Sequence, residues 1–293
     1  MEQRPAGKRA KKLTGRDDTL FFVHIPRSGG TALRHMMERV VERSDEWRVY
    51  DWQTQQEAIH AERATIARYR LVVGHFRIGV WAPFADQPLV TVLREPMGRM
   101  QSSYRYNRMF PNQLLHQAAN QMDFDAFVSS EAGRSLSNHQ TYQLSTRVPS
   151  HDVGGPEVDR QLTRVDVAEA LGYLAQPGVL GGLTEESDRA VALLSVMLDI
   201  EPPALVTANS SSGPKAPIDP RTVAEFQENN PLDIELYQGA SELFWDKWRQ
   251  AGDSAATALE WVRRKPNWRQ QMREWQIDGY RRANQAARRL VGR

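Results

Sequence analysis

The sequence predicts an α/β fold in which a central parallel sheet is flanked by helices. Three short apolar stretches, residues 20–25, 71–73 and 89–93, carry the β-branched and aromatic side chains of buried strands. Segments of helical period separate them, and that alternation is typical of a parallel sheet. Ligands bind beyond the carboxyl ends of the strands in such sheets. The loops that follow these strands are therefore where we expect the functional site.

The loop after the first strand has the features of an anion-binding turn. Pro26 ends the strand because it has no N–H group to donate. The next five residues leave backbone N–H groups at a helix N-terminus, where the helix dipole favours an anion; they are Arg27, Ser28, Gly29, Gly30 and Thr31. An ordinary strand-to-helix turn also fits these residues. A nucleotide kinase is disfavoured, because the Walker pattern needs a lysine directly before the hydroxyl residue.

Helices dominate the rest of the chain. The helix after the first loop has an apolar face made of Leu33, Met36, Met37, Val40 and Val41. Further helices are predicted at residues 54–68, 97–108, 124–129, 138–145 and 165–174. A fourth strand covers residues 179–183, and Thr184 is expected to cap the helix that follows it. Residues 202–220 form a long loop, and Asn230 and Pro231 begin a helix that runs to about residue 249.

Charge is distributed unevenly along the 293 residues. Residues 1–16 carry +5 and residues 261–293 carry +8, and subtracting both from the net +2 leaves −11 for the body between them. An acidic body argues against a dedicated nucleic-acid binder. We divide the chain into a disordered basic tail at residues 1–18, one domain at 19–250 and a basic helical extension at 251–293. Trp261, Trp268 and Trp275 recur every seven residues in that extension, which fits a homodimer contact, a membrane surface or docking on the domain itself.

The residue types that are absent exclude several classes of site. The chain has no cysteine, so disulfides, a thiolate nucleophile and cysteine-based zinc sites are excluded. No apolar run approaches the length of a membrane span, and no signal-peptide core follows Met1. No pair of histidines has the spacing of metal ligands. We therefore expect a cytoplasmic protein that uses no metal.

Two segments resemble the nucleotide-binding motifs of sulfotransferases that use 3′-phosphoadenosine 5′-phosphosulfate (PAPS). HIPRSGGT, at residues 24–31, resembles the loop that binds the 5′-phosphosulfate, with Arg27 in place of the usual lysine. VTVLREPMGRMQSSYR, at residues 90–105, resembles the 3′-phosphate signature, whose phosphate ligands match Arg94 and Ser102. A planar guanidinium and an adjoining hydroxyl suit a phosphate. The resemblance implies a P-loop-type, three-layer fold.

Weaker similarities extend the resemblance toward the carbohydrate and heparan-sulfate 2-O-sulfotransferase-like members of this superfamily. VGHF, at residues 73–76, resembles the segment that presents a catalytic histidine there, so His75 is the predicted general base. NHQT at residues 138–141, GLTE at 182–185 and LDIELY at 232–237 resemble further landmarks in the expected order. His24 is interpreted as a packed residue inside the first strand.

The resemblance implies transfer of a sulfuryl group from PAPS to a hydroxyl, or to an amine, of a glycan or small metabolite. Gly29, Gly30 and Thr31 would hold the 5′-phosphosulfate, and Lys215 would close over the nucleotide. Arg27 would stabilise the leaving group but could not give it a proton, since arginine stays charged. A catalytically silent nucleotide-binding or scaffold protein and a P-loop kinase are the alternatives. The acceptor is not identified, because residues 109–120 and 147–160 match no motif.

Overall fold

A computed structural model describes residues 18–30, 33–34, 36–37, 41–146, 162–202 and 218–264. Several predictions fall outside these residues: the basic tail before residue 18, most of the loop at 202–220, and the roles of Thr31, Lys215, Trp268 and Trp275. The boundaries proposed at residues 18 and 250 stay predictions.

Five parallel strands form one sheet in the order β2-β3-β1-β4-β5. They are β1 (Leu20–Val23), β2 (Glu46–Val49), β3 (Leu71–Gly74), β4 (Leu89–Leu93) and β5 (Val179–Leu183). The four predicted strands are confirmed. The edge strand β2 was missed because its sequence, EWRV, is half polar and only Val49 is fully buried. Every residue of the other four strands is buried, so both faces of the sheet are covered.

Twelve helices are labelled here within the described residues. They are α1 (Trp52–Ile59), α2 (Arg63–Ile66), α3 (Ile78–Trp81), α4 (Pro96–Met109), α5 (His116–Gln121), α6 (Phe124–Ser129), α7 (Glu131–Arg134), α8 (His139–Leu144), α9 (Arg164–Leu174), α10 (Ser187–Met197), α11 (Pro220–Asn229) and α12 (Pro231–Arg263). Residues 33, 34, 36 and 37 are also helical, and the N–H of Arg34 donates to the carbonyl of Gly30. The predicted helix after the first loop therefore begins at that loop.

Two expectations about these elements were wrong, and α11 was not predicted. The single helix predicted at 54–68 is the pair α1 and α2. Thr184 does not cap α10, because its hydroxyl lies against two backbone carbonyls of the site. Asn230 precedes α12 as predicted, but it is Asn138 whose side-chain oxygen accepts the N–H groups of Leu232 and Asp233.

Helix α12 is longer than predicted and belongs to the main core. It continues past residue 249 to Arg263, with a kink at Gly252. Beyond the kink, Ala255, Ala258 and Val262 are buried in the same apolar cluster as the sheet. A second cluster joins α4, α5, α6 and α11 and includes Met100, Tyr104, Ala119, Phe127, Val128 and Phe226. No helix in the described part of the chain is long and apolar enough to cross a membrane.

Candidate functional site

The predicted site residues that the structure describes come together at the carboxyl edge of the sheet. The loop after β1 holds residues 24–30, while His75 follows β3 and Arg94 follows β4. The N–H of His24 donates to Gly74 O at 2.8 Å, and the N–H of His75 donates to Val49 O at 2.9 Å, so both residues extend the strand ladders. This edge is where a parallel sheet binds its ligands.

Arg27 and Ser102, assigned by motif to different phosphates, are in direct contact. The Nε and Nη2 groups of Arg27 donate to Ser102 Oγ at 3.2 and 3.0 Å, and the guanidinium lies 4.3 Å from the ring centroid of Tyr106. Arg27 has a φ of 67°, a left-handed conformation that is unfavourable for a residue with a Cβ. Strain of that kind is concentrated at functional sites. The contacts orient the Arg27 side chain toward α4.

Arg94 links the two phosphate motifs through a backbone contact. Its Nη1 group donates to Arg27 O at 3.3 Å. Burial lowers the pKa of both guanidinium groups from the usual range. The charge of Arg105 lowers both further, while the Glu185 carboxylate opposes the shift of Arg94. Sequence reasoning missed Arg105, although it lies on α4 one turn beyond Ser102. Like charges gathered in this way favour an anion.

The N-terminus of α4 is already occupied by a side chain. The Glu95 carboxylate accepts the N–H groups of Met97 and Gly98 at 2.9 and 2.6 Å. The free backbone donors of this helix end are therefore used within the protein. An anion beside α4 would therefore have to be bound by side chains, such as those of Arg94, Arg27 and Ser102.

The loop backbone at residues 28–29 is fixed from two sides. Ser28 is fully buried, its hydroxyl donates to Gln140 Oε1 at 3.2 Å and its N–H donates to Ile25 O at 3.3 Å. The Thr184 hydroxyl lies 2.5 Å from Ser28 O and 3.0 Å from Leu93 O. Gly29 has a φ of 72°, and a Cβ there would lie 2.6 Å from Thr184 Cγ2. The position requires glycine, and the hydroxyl of Ser28 holds the loop.

His75 has the tautomer and charge that a general base needs. Its Nδ1 lies 2.6 Å from His24 O, and a carbonyl can only accept, so Nδ1 carries the proton and Nε2 has a free lone pair. Burial lowers the pKa of His75; the hydrogen bond to His24 opposes that shift, and the charge of Arg34 adds to it. The imidazole is therefore neutral near pH 7.

His24 and Tyr50 complete a cluster of rings around His75. His24 lies just beyond the end of β1 and not inside that strand as predicted, and it packs against the rings of Phe22, Tyr50 and His75. Its ring centroid is 5.0 Å from that of His75, and its Nδ1 is 3.1 Å from the Tyr50 hydroxyl. Burial, followed by the charges of His75, Arg34 and Arg27, lowers the pKa of His24 to about 3. Tyr50 was missed because it follows the unpredicted strand β2.

The candidate site offers no cluster of side chains suited to bind a metal ion among the described residues. Among the described residues, no group of three or more histidine, aspartate or glutamate side chains could hold a metal ion. The charged groups at the carboxyl edge of the sheet are mainly guanidiniums, which repel cations.

Comparison with solved structures finds chains of similar fold, and a sulfotransferase is among them. The chain is similar to the crystal structure of mouse sulfotransferase SULT7A1 complexed with PAP, at 16% sequence identity and a TM-score of 0.39, with 84% of this chain and 88% of that chain covered. No family model matches the sequence, and no curated protein matches it.

Proposed function

We propose that this protein is a PAPS-dependent sulfotransferase that acts on a hydroxyl, or on an amine, of a glycan or small metabolite. The observation that carries the proposal is the meeting of the two phosphate motifs, in which Arg27 contacts Ser102 and Arg94 contacts Arg27 O. A neutral histidine with a free Nε2 follows the neighbouring strand on the same edge of the sheet. Anion-binding groups and a base are the parts that sulfuryl transfer requires, by analogy with phosphoryl transfer.

The residues act in one displacement step. His75 Nε2 takes the proton of the acceptor group as the acceptor atom forms its bond to sulfur. The bond between sulfur and the 5′-phosphate oxygen breaks, and its electron pair stays on that oxygen. Arg27 stabilises the charge that develops there, while Arg94 and Ser102 hold the 3′-phosphate. Because arginine keeps its proton, the product PAP leaves with the 5′-phosphate unprotonated by Arg27.

Other contributions in this proposal rest on the motif resemblance. Gly29 and Gly30 would offer backbone N–H groups to the 5′-phosphosulfate, together with Thr31, and Lys215 would cover the nucleotide. The heparan-sulfate 2-O-sulfotransferase-like group is the proposed subfamily, because VGHF places His75 directly after β3.

Two measurements test the proposal. Calorimetric titration with adenosine 3′,5′-bisphosphate and with ATP should show binding of the first and much weaker binding of the second. Radiolabelled PAPS incubated with the protein and a mixture of desulfated glycans and small metabolites should then yield a labelled product. Preference for ATP would indicate a P-loop kinase. Bisphosphate binding without transfer to any acceptor would favour a silent nucleotide-binding protein, since the usual lysine is Arg27 here.

A further inference from the structure

Gln140 on α8 is a fully buried side chain that contacts both phosphate motifs. Its Oε1 accepts the N–H of Arg94 at 2.9 Å and the hydroxyl of Ser28 at 3.2 Å. Its Nε2 donates to Arg94 O at 2.9 Å. One amide group therefore bonds both backbone groups of Arg94, as a neighbouring strand would, and the loop after β1 as well.

Gln140 is itself fixed by a buried carboxylate. Asp233 in the first turn of α12 accepts the N–H of Gln140 at 3.1 Å and the N–H of Thr141 at 2.8 Å. Arg99 of α4 lies 4.0 Å from the same carboxylate, with both side chains almost fully buried. Helix α4 also carries Ser102, which is predicted to bind the 3′-phosphate. The Asp233 carboxylate that fixes Gln140 therefore also lies beside the helix of Ser102.

We propose that Gln140 is a positioning residue that holds the two phosphate-binding loops at the spacing of one adenosine bisphosphate. The inference rests on the proposed function, since it takes Arg94 and the loop after β1 as the two phosphate sites. A ligand with two phosphates gains affinity only when both sites are held at its own spacing, because the second contact is then intramolecular. A ligand with one phosphate has no such requirement.

The chemistry of the position is specific to glutamine. A glutamate has the same shape, but it loses the donor to Arg94 O and places a carboxylate against that carbonyl. An asparagine is one methylene shorter and cannot reach both loops from the same helix. Ser28→Ala removes only the contact on the side of the first loop and leaves the pair of bonds to Arg94.

The test compares three probes by calorimetry: adenosine 3′,5′-bisphosphate, adenosine 5′-monophosphate and adenosine 3′-monophosphate. We expect Gln140→Glu to weaken binding of the bisphosphate roughly ten- to a hundredfold, which is the loss expected for buried hydrogen bonds to backbone groups. Both monophosphates should change by less than about threefold, since neither spans the two sites. Ser28→Ala should show the same selectivity with a smaller loss.

Gln143 provides the matched control. It is a nearly buried glutamine one turn further along α8, and its Nε2 lies 3.5 Å from His139 Nε2. Gln143→Glu should leave the ratio of bisphosphate to monophosphate affinity unchanged. An equal loss for all three probes in Gln140→Glu and Ser28→Ala, or no loss in either, overturns the positioning role. A wild-type protein that binds none of the probes would instead overturn the proposed function, and this inference with it.

Discussion

Burial has different consequences for the charge of the side chains on the two sides of the loop after β1. On one side, Arg27 and Arg94 are half-buried, and their guanidiniums donate to a hydroxyl and a carbonyl. On the other side, His24 and His75 are half-buried among rings, and Tyr50 lies against both. Burial lowers the pKa on both sides.

The outcome differs because the side chains start from different pKa values. Arginine has a pKa above about 12, so a lowered value still leaves the guanidinium charged at neutral pH. Histidine starts near about 6.5, so the same kind of shift makes it neutral. One edge of the sheet therefore carries a cationic half and a neutral basic half. Under the proposed function the first would bind the nucleotide and the second would face the acceptor. Substitutions in the two halves should therefore have different effects.

Removing the charge of Arg27 should have the largest effect. Arg27→Ala should lower the transfer rate by about 10³–10⁵, the range measured for arginines that stabilise a transferring phosphoryl group. Arg27→Lys should keep or raise activity, because lysine is also charged and can in addition give a proton. The measurement is single-turnover transfer from radiolabelled PAPS. An active Arg27→Ala protein would show that the leaving group is stabilised elsewhere.

Removing the base should affect the rate and spare the nucleotide. His75→Ala should lower the rate by about 10²–10⁴ with little change in affinity for adenosine 3′,5′-bisphosphate. His116 on α5 is a suitable control, because its Nδ1 also lies within hydrogen-bond distance of a carbonyl, 2.8 Å from Asn107 O. His116→Ala should be fully active.

The pH profile of the wild-type transfer rate tests the role of His75 as general base in a second way. Since the folded pKa lies below the usual value, the rate should rise with pH through a midpoint below about 6.5 and stay level above it. A bell-shaped profile would mean that an acid is also required and that the role given to Arg27 is wrong.

Removing the Arg94 guanidinium should affect binding more than chemistry. Arg94→Ala should weaken binding of adenosine 3′,5′-bisphosphate roughly ten- to a hundredfold, because one charge-assisted hydrogen bond is lost. Arg63→Ala is the control, because that exposed arginine pairs with Asp86 away from the site. Unchanged affinity in Arg94→Ala would remove the assignment of the 3′-phosphate site.

Adding a methyl group at Gly29 should destabilise the loop. Gly29→Ala should lower the free energy of unfolding by about 1–3 kcal/mol, from the left-handed backbone and the contact with Thr184 Cγ2. Thr184→Ser in the same protein removes that methyl and should recover part of the loss. Gly172→Ala is the control, since a Cβ on that residue of α9 meets nothing within 4 Å. It should be neutral or stabilising in urea unfolding.

The neutral histidines should also make stability depend on pH. Their pKa values are lower in the folded protein, so the unfolded chain binds more protons and stability falls as pH drops below about 6.5. For His24 the loss continues to about pH 3. The slope is at most about 1.4 kcal/mol per pH unit for each histidine. Urea unfolding at several pH values should show that the stability of His24→Asn depends less steeply on pH than that of the wild type. An equal pH dependence would contradict the lowered pKa of His24.

Local sequence was sufficient where a residue's role depends on its neighbours in the chain. The apolar runs predicted four strands, and Pro26, the glycines and the helical period predicted the loop at the end of β1. The resemblance of two short motifs made Arg27, Arg94 and Ser102 candidate site residues, and the structure places them in contact. These inferences use only the identity and spacing of residues along one segment.

Tertiary structure decided which distant residues hold that loop and which lie beside the base. Thr184 is 156 positions from Ser28, and Gln140 is 112 positions from it, and no local pattern specifies such pairs. Tyr50 reaches His24 only because the half-polar strand β2 pairs with β3. The state of His75 was likewise set by folding, because burial and the carbonyl of His24 determine its charge and tautomer. Sequence names the ionisable group, but its surroundings in three dimensions set its pKa.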